Sequence, residues 1–174
     1  MATKASGVTD YAAAMASGDE RASVPEGLTG EGLRIGVVRA RWNAGIVDRL
    51  AKGVDRGLAS LGVTDVVAHS VPGSFEIPLA AKTLAASGTV DAVVCIGAVI
   101  RGETTHYELV SGECGRGVQQ AQLDTGVPVL FGVLTVENEA QAEARSQGPG
   151  GHNVGEEAAL GAVEMAKLIR AVTR

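Results

Sequence analysis

The chain is organised as short apolar runs separated by longer stretches in which apolar and polar residues are mixed. Runs rich in branched apolar residues occur at 33–38, 66–71, 91–100 and 127–136, and the run at 66–71 also contains a histidine and a serine. Runs of this length and composition are typical of β-strands, and the run at 33–38 is predicted to be buried. The most continuous run, 91–100, is predicted to lie in the centre of the sheet, where both faces are covered.

Between these runs, apolar residues recur every three or four positions, a spacing that predicts amphipathic helices. Helices are predicted at 46–61, from "PGSFEIP" to about 86, at 105–123, within 138–146 and at 155–172. In the third of these helices, the residues predicted to face inward are Leu109, Val110, Cys114, Val118 and Ala121. The alternation of strands and helices predicts an α/β fold with one parallel sheet and helices on both faces.

The predicted fold also indicates where chemistry should occur. In an open parallel sheet, ligands bind outside the carboxyl ends of the strands. The turns that follow the predicted strands are "RWNAG", "VPGSFE", "IRGETTH" and "TVEN". We therefore expect the functional residues to come from these turns.

Composition and charge narrow the class of protein. The 174 residues suit one domain with a sizeable core. Residues 1–31 show no sustained period and are predicted to be a flexible N-terminal segment, with a short helix at "DYAAAMAS", ahead of a domain at 32–174. The formal net charge of −5 argues against a nucleic-acid-binding surface.

The cysteines and the lengths of the apolar stretches indicate where in the cell the protein is expected. Cys95 and Cys114 lie in a strand-like and a helix-like run, and we expect free buried thiols in a reducing compartment. No apolar stretch reaches the roughly 20 residues that a membrane helix needs. The first residues also lack the basic start and apolar run of a secretory signal. We expect a cytoplasmic protein that does not contact a membrane.

The turn "RGETTH" combines a glycine, two threonines and an imidazole at a predicted helix start. Unpaired N–H groups and the helix dipole attract anions to such a position. Thr104 or Thr105 could equally be an ordinary N-cap. Histidine side chains suit proton transfer near neutral pH, so His106 could act in this way, or it is simply a solvated histidine.

Three other turn residues allow two interpretations each. Trp42, the only tryptophan, could stack on a flat ring or pack in a core or an interface. Glu76 could accept hydrogen bonds from a polyol or stabilise a helix start. Arg145 could pair with a phosphate or be solvated. The sequence contains no metal-ligand spacing around "GGHN", no GxGxxG fingerprint and no Walker P-loop.

The order of these motifs resembles one family. The segments "RARWN", "VPGSFEIPLAAK", "IGAVIRGETTHYELV", "GVPVLFGVLTVEN", "QAEAR" and "GHNVGEEAALGAVEMA" are similar to those of 6,7-dimethyl-8-ribityllumazine synthase, over roughly residues 33–170. The resemblance implies a flavodoxin-like three-layer αβα sandwich with a four-stranded parallel sheet. It also implies condensation of 5-amino-6-(D-ribitylamino)uracil with 3,4-dihydroxy-2-butanone 4-phosphate, the penultimate step of riboflavin biosynthesis, which releases phosphate and water without a cofactor or a metal.

The resemblance further implies roles for individual residues. The two substrates are expected to be held by Trp42, Asn43, Gly73, Ser74, Phe75, Glu76, Ala98, Val99, Ile100, Gly102, Glu103, Thr104 and Thr105. His106 is expected to move protons and Arg145 to clamp the phosphate. Leu130, Phe131 and Arg145 are expected to come from the neighbouring subunit of a homopentamer.

The chain departs from the family pattern at two positions. Ala144 replaces an acid and Val154 a lysine that many members carry. These departures leave open a non-catalytic assembly protein that binds riboflavin or lumazine, and an archaeal-type riboflavin synthase is a further alternative. The connection "SQGPGGHNV" is slightly longer than in members that form hollow shells, which favours a free pentamer. Trp42 suggests riboflavin as an additional ligand.

Overall fold

The structure is a computed structural model that describes residues 23–173 of the chain. The helix expected at "DYAAAMAS" and most of the segment 1–31 therefore lie outside the described residues. The last part of that segment lies on the domain. Leu28 packs against the core, and the Gly30 amide donates a 2.6 Å hydrogen bond to the carbonyl of Leu61. The boundary at residue 32 stays a prediction.

Four parallel strands form the sheet, in the spatial order β2-β1-β3-β4. The strands are β1 (Arg34–Ala40), β2 (Asp65–Val71), β3 (Ala92–Ile100) and β4 (Val129–Val136). Because β3 has a neighbour on each side and helices over both faces, all its residues except the last are buried. The predicted parallel sheet and the interior position of β3 are confirmed.

Five helices and one 3₁₀ turn connect and cover the strands. The helices are α1 (Ala44–Ser60), α2 (Ile77–Ala86), α3 (His106–Thr125), α4 (Glu139–Ala144) and α5 (Val154–Val172), and the turn is Ser74–Glu76. Apolar faces of α1 and α5 pack on one side of the sheet, and those of α2 and α3 pack on the other. This is the expected three-layer αβα sandwich.

Helices α1 and α5 approach each other closely because small residues lie between them. A Cβ at Gly155 would lie 2.3 Å from the Leu50 carbonyl oxygen, so only glycine fits there. Leu50 and Val54 of α1 are buried together with Val163 of α5. The described helices include none that is long and apolar enough to cross a bilayer.

One prediction about α3 is wrong. Leu109, expected to face inward, is 61% exposed, whereas Cys114, Val118 and Ala121 are buried. The buried positions are four and three residues apart and form one stripe. Leu109 precedes Cys114 by five residues, which turns it about 140° away from that stripe on an α-helix. Val110, four residues before Cys114, lies on the stripe and packs against the core.

Candidate active site

The turn after β1 is fixed by an unusual backbone conformation at Asn43. This residue has φ 57° and ψ 44°, and within 23–173 it is the only non-glycine residue with positive φ. Asparagine tolerates this left-handed region better than most residues. Its Nδ2 donates a 2.8 Å hydrogen bond to the Ala98 carbonyl. The turn is thereby attached to the end of β3, and Trp42 beside it remains 73% exposed.

The turn after β2 lies directly against the tryptophan. A Cβ at Gly73 would come within 3.1 Å of the Trp42 ring, so the absence of a side chain lets the indole rest there. The Gly73 amide donates a 2.9 Å hydrogen bond to Oε2 of Glu76, which closes the turn. Ser74 is buried and Phe75 is exposed. Glu76 therefore has a structural role through one oxygen, while Oε1 accepts no hydrogen bond from the described residues.

The segment after β3 presents backbone groups at the start of α3. Gly102 to Thr105 are all exposed, and α3 begins at His106. The Thr105 side chain does not cap the helix. Instead the His106 amide donates to Oγ1 of Thr104 at 3.3 Å. Thr105 is therefore the N-cap residue by position but makes no side-chain cap, and the Thr104 hydroxyl accepts the His106 amide instead.

These three turns enclose a cavity of about 670 Å³. Its volume is within the range of sites for small molecules. The lining residues are Trp42, Asn43, Gly73, Ser74, Phe75, Glu76, Ala98, Val99, Ile100, His106, Leu109 and Val110. All but the last two are predicted from the sequence as site residues. The exposure of Leu109 at the helix start is explained by its place in this wall.

Other predicted site residues do not line this cavity. Gly102, Glu103, Thr104 and Thr105 connect Ile100 to His106 and so border it. By contrast, Phe131 lies on the edge strand β4, where its ring is 3.9 Å from the position a Cβ at residue 115 would take. Leu130 is half-buried beside it.

Arg145 also lies outside the cavity. It follows α4 on the surface, and its Nη1 donates a 3.1 Å hydrogen bond to the Gln141 carbonyl. One copy of the chain does not bring Arg145, Leu130 or Phe131 to the cavity.

Few ionisable side chains line the cavity, and the nearby Arg101 lies outside it. Among the described residues lining the cavity, the ionisable side chains are Glu76 and His106, and there is no lysine or arginine. Arg101 is adjacent to the exposed loop, but it is bound to Glu108 and Glu137. The hydrogen bond from Arg101 holds the pKa of the Glu108 carboxyl below its usual range. Among its described residues, the cavity wall of one chain therefore contains no lysine or arginine to balance a phosphate.

The two cysteines are free and buried, as expected. Burial raises the pKa of the Cys95 thiol far above its ordinary value and raises that of Cys114 to about 12. Because the thiolate is the reactive form, neither residue is suited to act as a nucleophile.

Comparisons with known proteins identify the family of the chain. A family model described as 6,7-dimethyl-8-ribityllumazine synthase matches residues 32–170. The chain belongs to this lumazine synthase family. It is 50% identical over 148 residues to the 6,7-dimethyl-8-ribityllumazine synthase of Thermococcus gammatolerans, covering 85% of this chain and 95% of the relative.

Two bacterial relatives carry the same name. The protein from Cupriavidus metallidurans is 47% identical over 147 residues, covering 83% of this chain and 84% of the relative. The protein from Paraburkholderia phymatum is 50% identical over 143 residues, covering 81% of this chain and 80% of the relative.

The two departures from the lumazine synthase pattern lie near Arg145. Ala144 is the last residue of α4, and Val154 is the first of α5. The Val154 amide donates a 3.0 Å hydrogen bond to the Arg145 carbonyl, and its side chain packs against the core. The valine therefore helps to hold the backbone at Arg145, but it offers no charge to a phosphate.

Proposed function

We propose that this chain is a 6,7-dimethyl-8-ribityllumazine synthase, a transferase. It condenses 5-amino-6-(D-ribitylamino)uracil with 3,4-dihydroxy-2-butanone 4-phosphate and releases phosphate and water. The observation that carries the proposal is the single cavity wall built by Trp42, the turn 73–76 and His106. These are the turns that the family motifs occupy.

The pyrimidinedione fits the apolar part of this wall. Trp42 is exposed and flanked by Gly73, so its indole face is available to stack on a planar ring. Backbone groups of Ala98 to Ile100 provide polar contacts at the ring edge. The ribityl hydroxyls are then directed toward Ser74 and the remaining oxygen of Glu76.

The phosphorylated substrate carries negative charge, and the described residues of the cavity wall include no lysine or arginine to balance it. The loop 102–105 and the N-terminus of α3 supply N–H donors and a favourable dipole. We infer that Arg145 of a second copy supplies the charge, in a bidentate pair with the phosphate. Leu130 and Phe131 of that copy would close the outer wall. A homopentamer with sites between its subunits satisfies this requirement.

Exposed apolar side chains support an assembly of several copies. Phe131 is exposed on the edge strand, and Leu79, Leu123 and Leu168 are exposed on three helices. Large apolar side chains of this kind are common where subunits meet. A cytoplasmic location is retained as an expectation from the sequence.

His106 is the proton-transfer group of the proposed reaction. It lies in the cavity wall with Trp42, at the start of α3 and directly after the loop 102–105. A proton must move when the amine attacks the ketone, when water leaves and when phosphate is eliminated. General acid–base help of this kind accelerates a step by about 10²–10⁴-fold. The remaining acceleration is attributed to holding two substrates together.

The direct test is to mix both substrates with purified protein and follow the absorbance of the lumazine. His106→Ala should lower kcat by about 10²-fold or more without abolishing it. His69→Ala, which alters an exposed histidine on the edge strand β2, is the matched control and should retain full activity. Absence of lumazine with wild-type protein would contradict the proposal. Formation of riboflavin from lumazine alone would instead indicate a riboflavin synthase.

Riboflavin binding is tested separately. Trp42 is the only tryptophan of the chain, so the tryptophan fluorescence reports directly on the indole that is proposed to stack on a planar ring. We expect riboflavin to quench this fluorescence in a saturable way, with flavin fluorescence quenched in parallel. Quenching that rises linearly, without saturation, would show that riboflavin is not a ligand.

A further inference from the structure

Arg101 connects three elements of the fold next to the loop 102–105, which is proposed to bind the phosphate. It is the first residue after β3, and its amide donates a 2.9 Å hydrogen bond to the Val136 carbonyl at the end of β4. Its Nε donates a 2.6 Å hydrogen bond to Oε2 of Glu137. Its Nη1 donates to Oε1 of Glu108 in the first turn of α3. The guanidinium thus spans from β4 to α3.

The same side chain also lies over an aromatic ring. The guanidinium carbon is 4.2 Å from the centre of the Tyr107 ring. An arginine at this distance makes a cation–π contact. Tyr107 directly follows His106, so the contact fixes the orientation of the first turn of α3. The planar fork of arginine is able to bridge two carboxylates and stack at once, which a lysine cannot do.

The loop between these anchors has little support of its own. Residues 102–105 are exposed, and a Cβ at Gly102 would have no neighbour within 4 Å. Within the described part of the chain, the only side-chain hydrogen bond made by this loop is the one from the His106 amide to Thr104. The position of the loop therefore depends on what holds its two ends.

We propose that Arg101 is a positioning residue, which holds the loop 102–105 and His106 in the geometry that binds the phosphate of the substrate. The inference rests on the proposed function. Arg101 does not act as the counter-ion of the phosphate, because its charge is already shared between Glu108 and Glu137. It acts by joining β4 to α3 across the loop.

The substitution Arg101→Lys separates a counter-ion role from a positioning role. It keeps the positive charge but removes the planar guanidinium that bridges Glu108 and Glu137. We expect it to raise KM for 3,4-dihydroxy-2-butanone 4-phosphate about tenfold and to leave KM for the pyrimidinedione unchanged. Arg34→Lys is the matched control. Arg34 makes an exposed ion pair with Asp65 at the opposite end of the sheet, and both KM values should stay at the wild-type level.

Calorimetric titration with inorganic phosphate provides a readout that does not depend on catalysis. Arg101→Lys should weaken phosphate binding about tenfold, whereas Arg34→Lys should not change it. Wild-type values of KM and phosphate affinity in Arg101→Lys would overturn the inference, because charge alone would then suffice. An equal rise in both KM values with unchanged phosphate binding would also overturn it.

The two proposals fail in distinguishable ways. If wild-type protein forms no lumazine while Arg101→Lys still weakens phosphate binding, the proposed function is wrong and the positioning role stands. If wild-type protein forms lumazine and Arg101→Lys matches it in every measurement, only the positioning role is wrong.

Discussion

Asn153 connects three parts of the fold through one buried amide. It is 1% exposed. Its Nδ2 donates to the carbonyls of Arg49 in α1, at 3.1 Å, and of Gln147 in the preceding loop, at 2.9 Å. Its Oδ1 accepts a 3.1 Å hydrogen bond from the Glu156 amide and so caps α5. We predict that Asn153→Ala is strongly destabilising.

The magnitude follows from the three bonds lost. Removing an N-cap costs about 1 kcal/mol. Each of the two part-buried hydrogen bonds that Nδ2 donates contributes about 1 kcal/mol. The expected loss of unfolding free energy is therefore about 3 kcal/mol. For a domain of this size, that corresponds to a Tm lower by roughly 6–12 °C.

The matched control is the N-cap of α4. Asn138 also caps its helix through Oδ1, which accepts a 3.0 Å hydrogen bond from the Gln141 amide, but its side chain is exposed. Asn138→Ala should cost about 1 kcal/mol or less. Both variants are compared with wild type by urea denaturation and thermal melting at one protein concentration. If Asn153→Ala is no less stable than Asn138→Ala, the assignment of Asn153 as a buried connector is refuted.

Two further predictions concern packing and the thiols. Gly155→Ala should lower the free energy of unfolding by about 2 kcal/mol or more, because its Cβ would meet a backbone oxygen at 2.3 Å. The control is Gly112, which is exposed in α3 and whose Cβ would have no neighbour within 4 Å. Gly112→Ala should raise the free energy of unfolding by roughly 0.5–1 kcal/mol, measured by the same urea denaturation. Folding raises the thiol pKa values of Cys95 and Cys114, so the native chain holds protons that the unfolded chain releases, and stability should fall as pH rises above the ordinary value of 9.0. Thiol labelling at pH 8 should be no faster than unfolding, and rapid labelling of the native protein would contradict the burial of both thiols.

The sheet could be predicted because its strands are marked locally. Each strand contains a run rich in branched apolar residues, although β2 also carries His69 and Ser70 and is mostly exposed. In the connecting helices, apolar residues recur every three or four positions. The positions of Trp42, Glu76 and His106 followed from the rule that ligands bind beyond the carboxyl ends of parallel strands. Leu109 was misplaced because an apolar residue at a helix start was assigned to the core, although it lies on the cavity side.

The network around Arg101 could not be predicted, because it depends on tertiary contacts. Glu108 is seven residues away and Glu137 thirty-six residues away along the chain. Only the pairing of β3 with β4 brings the ends of these strands together. The available signal was an arginine directly after a strand, which alone does not distinguish a bridge from a solvated residue. The proposed pairing of Arg145 with the phosphate rests on the family resemblance and requires a second copy of the chain.

The central claim is that each site combines His106 of one copy with Arg145 of another. The most direct test is to express His106→Ala and Arg145→Ala chains together and assay the mixed assemblies. If the site is shared, random mixing leaves about one quarter of the sites with both native residues, and activity should rise to about that fraction of wild type. Activity no greater than that of the two variants assayed separately would contradict the account.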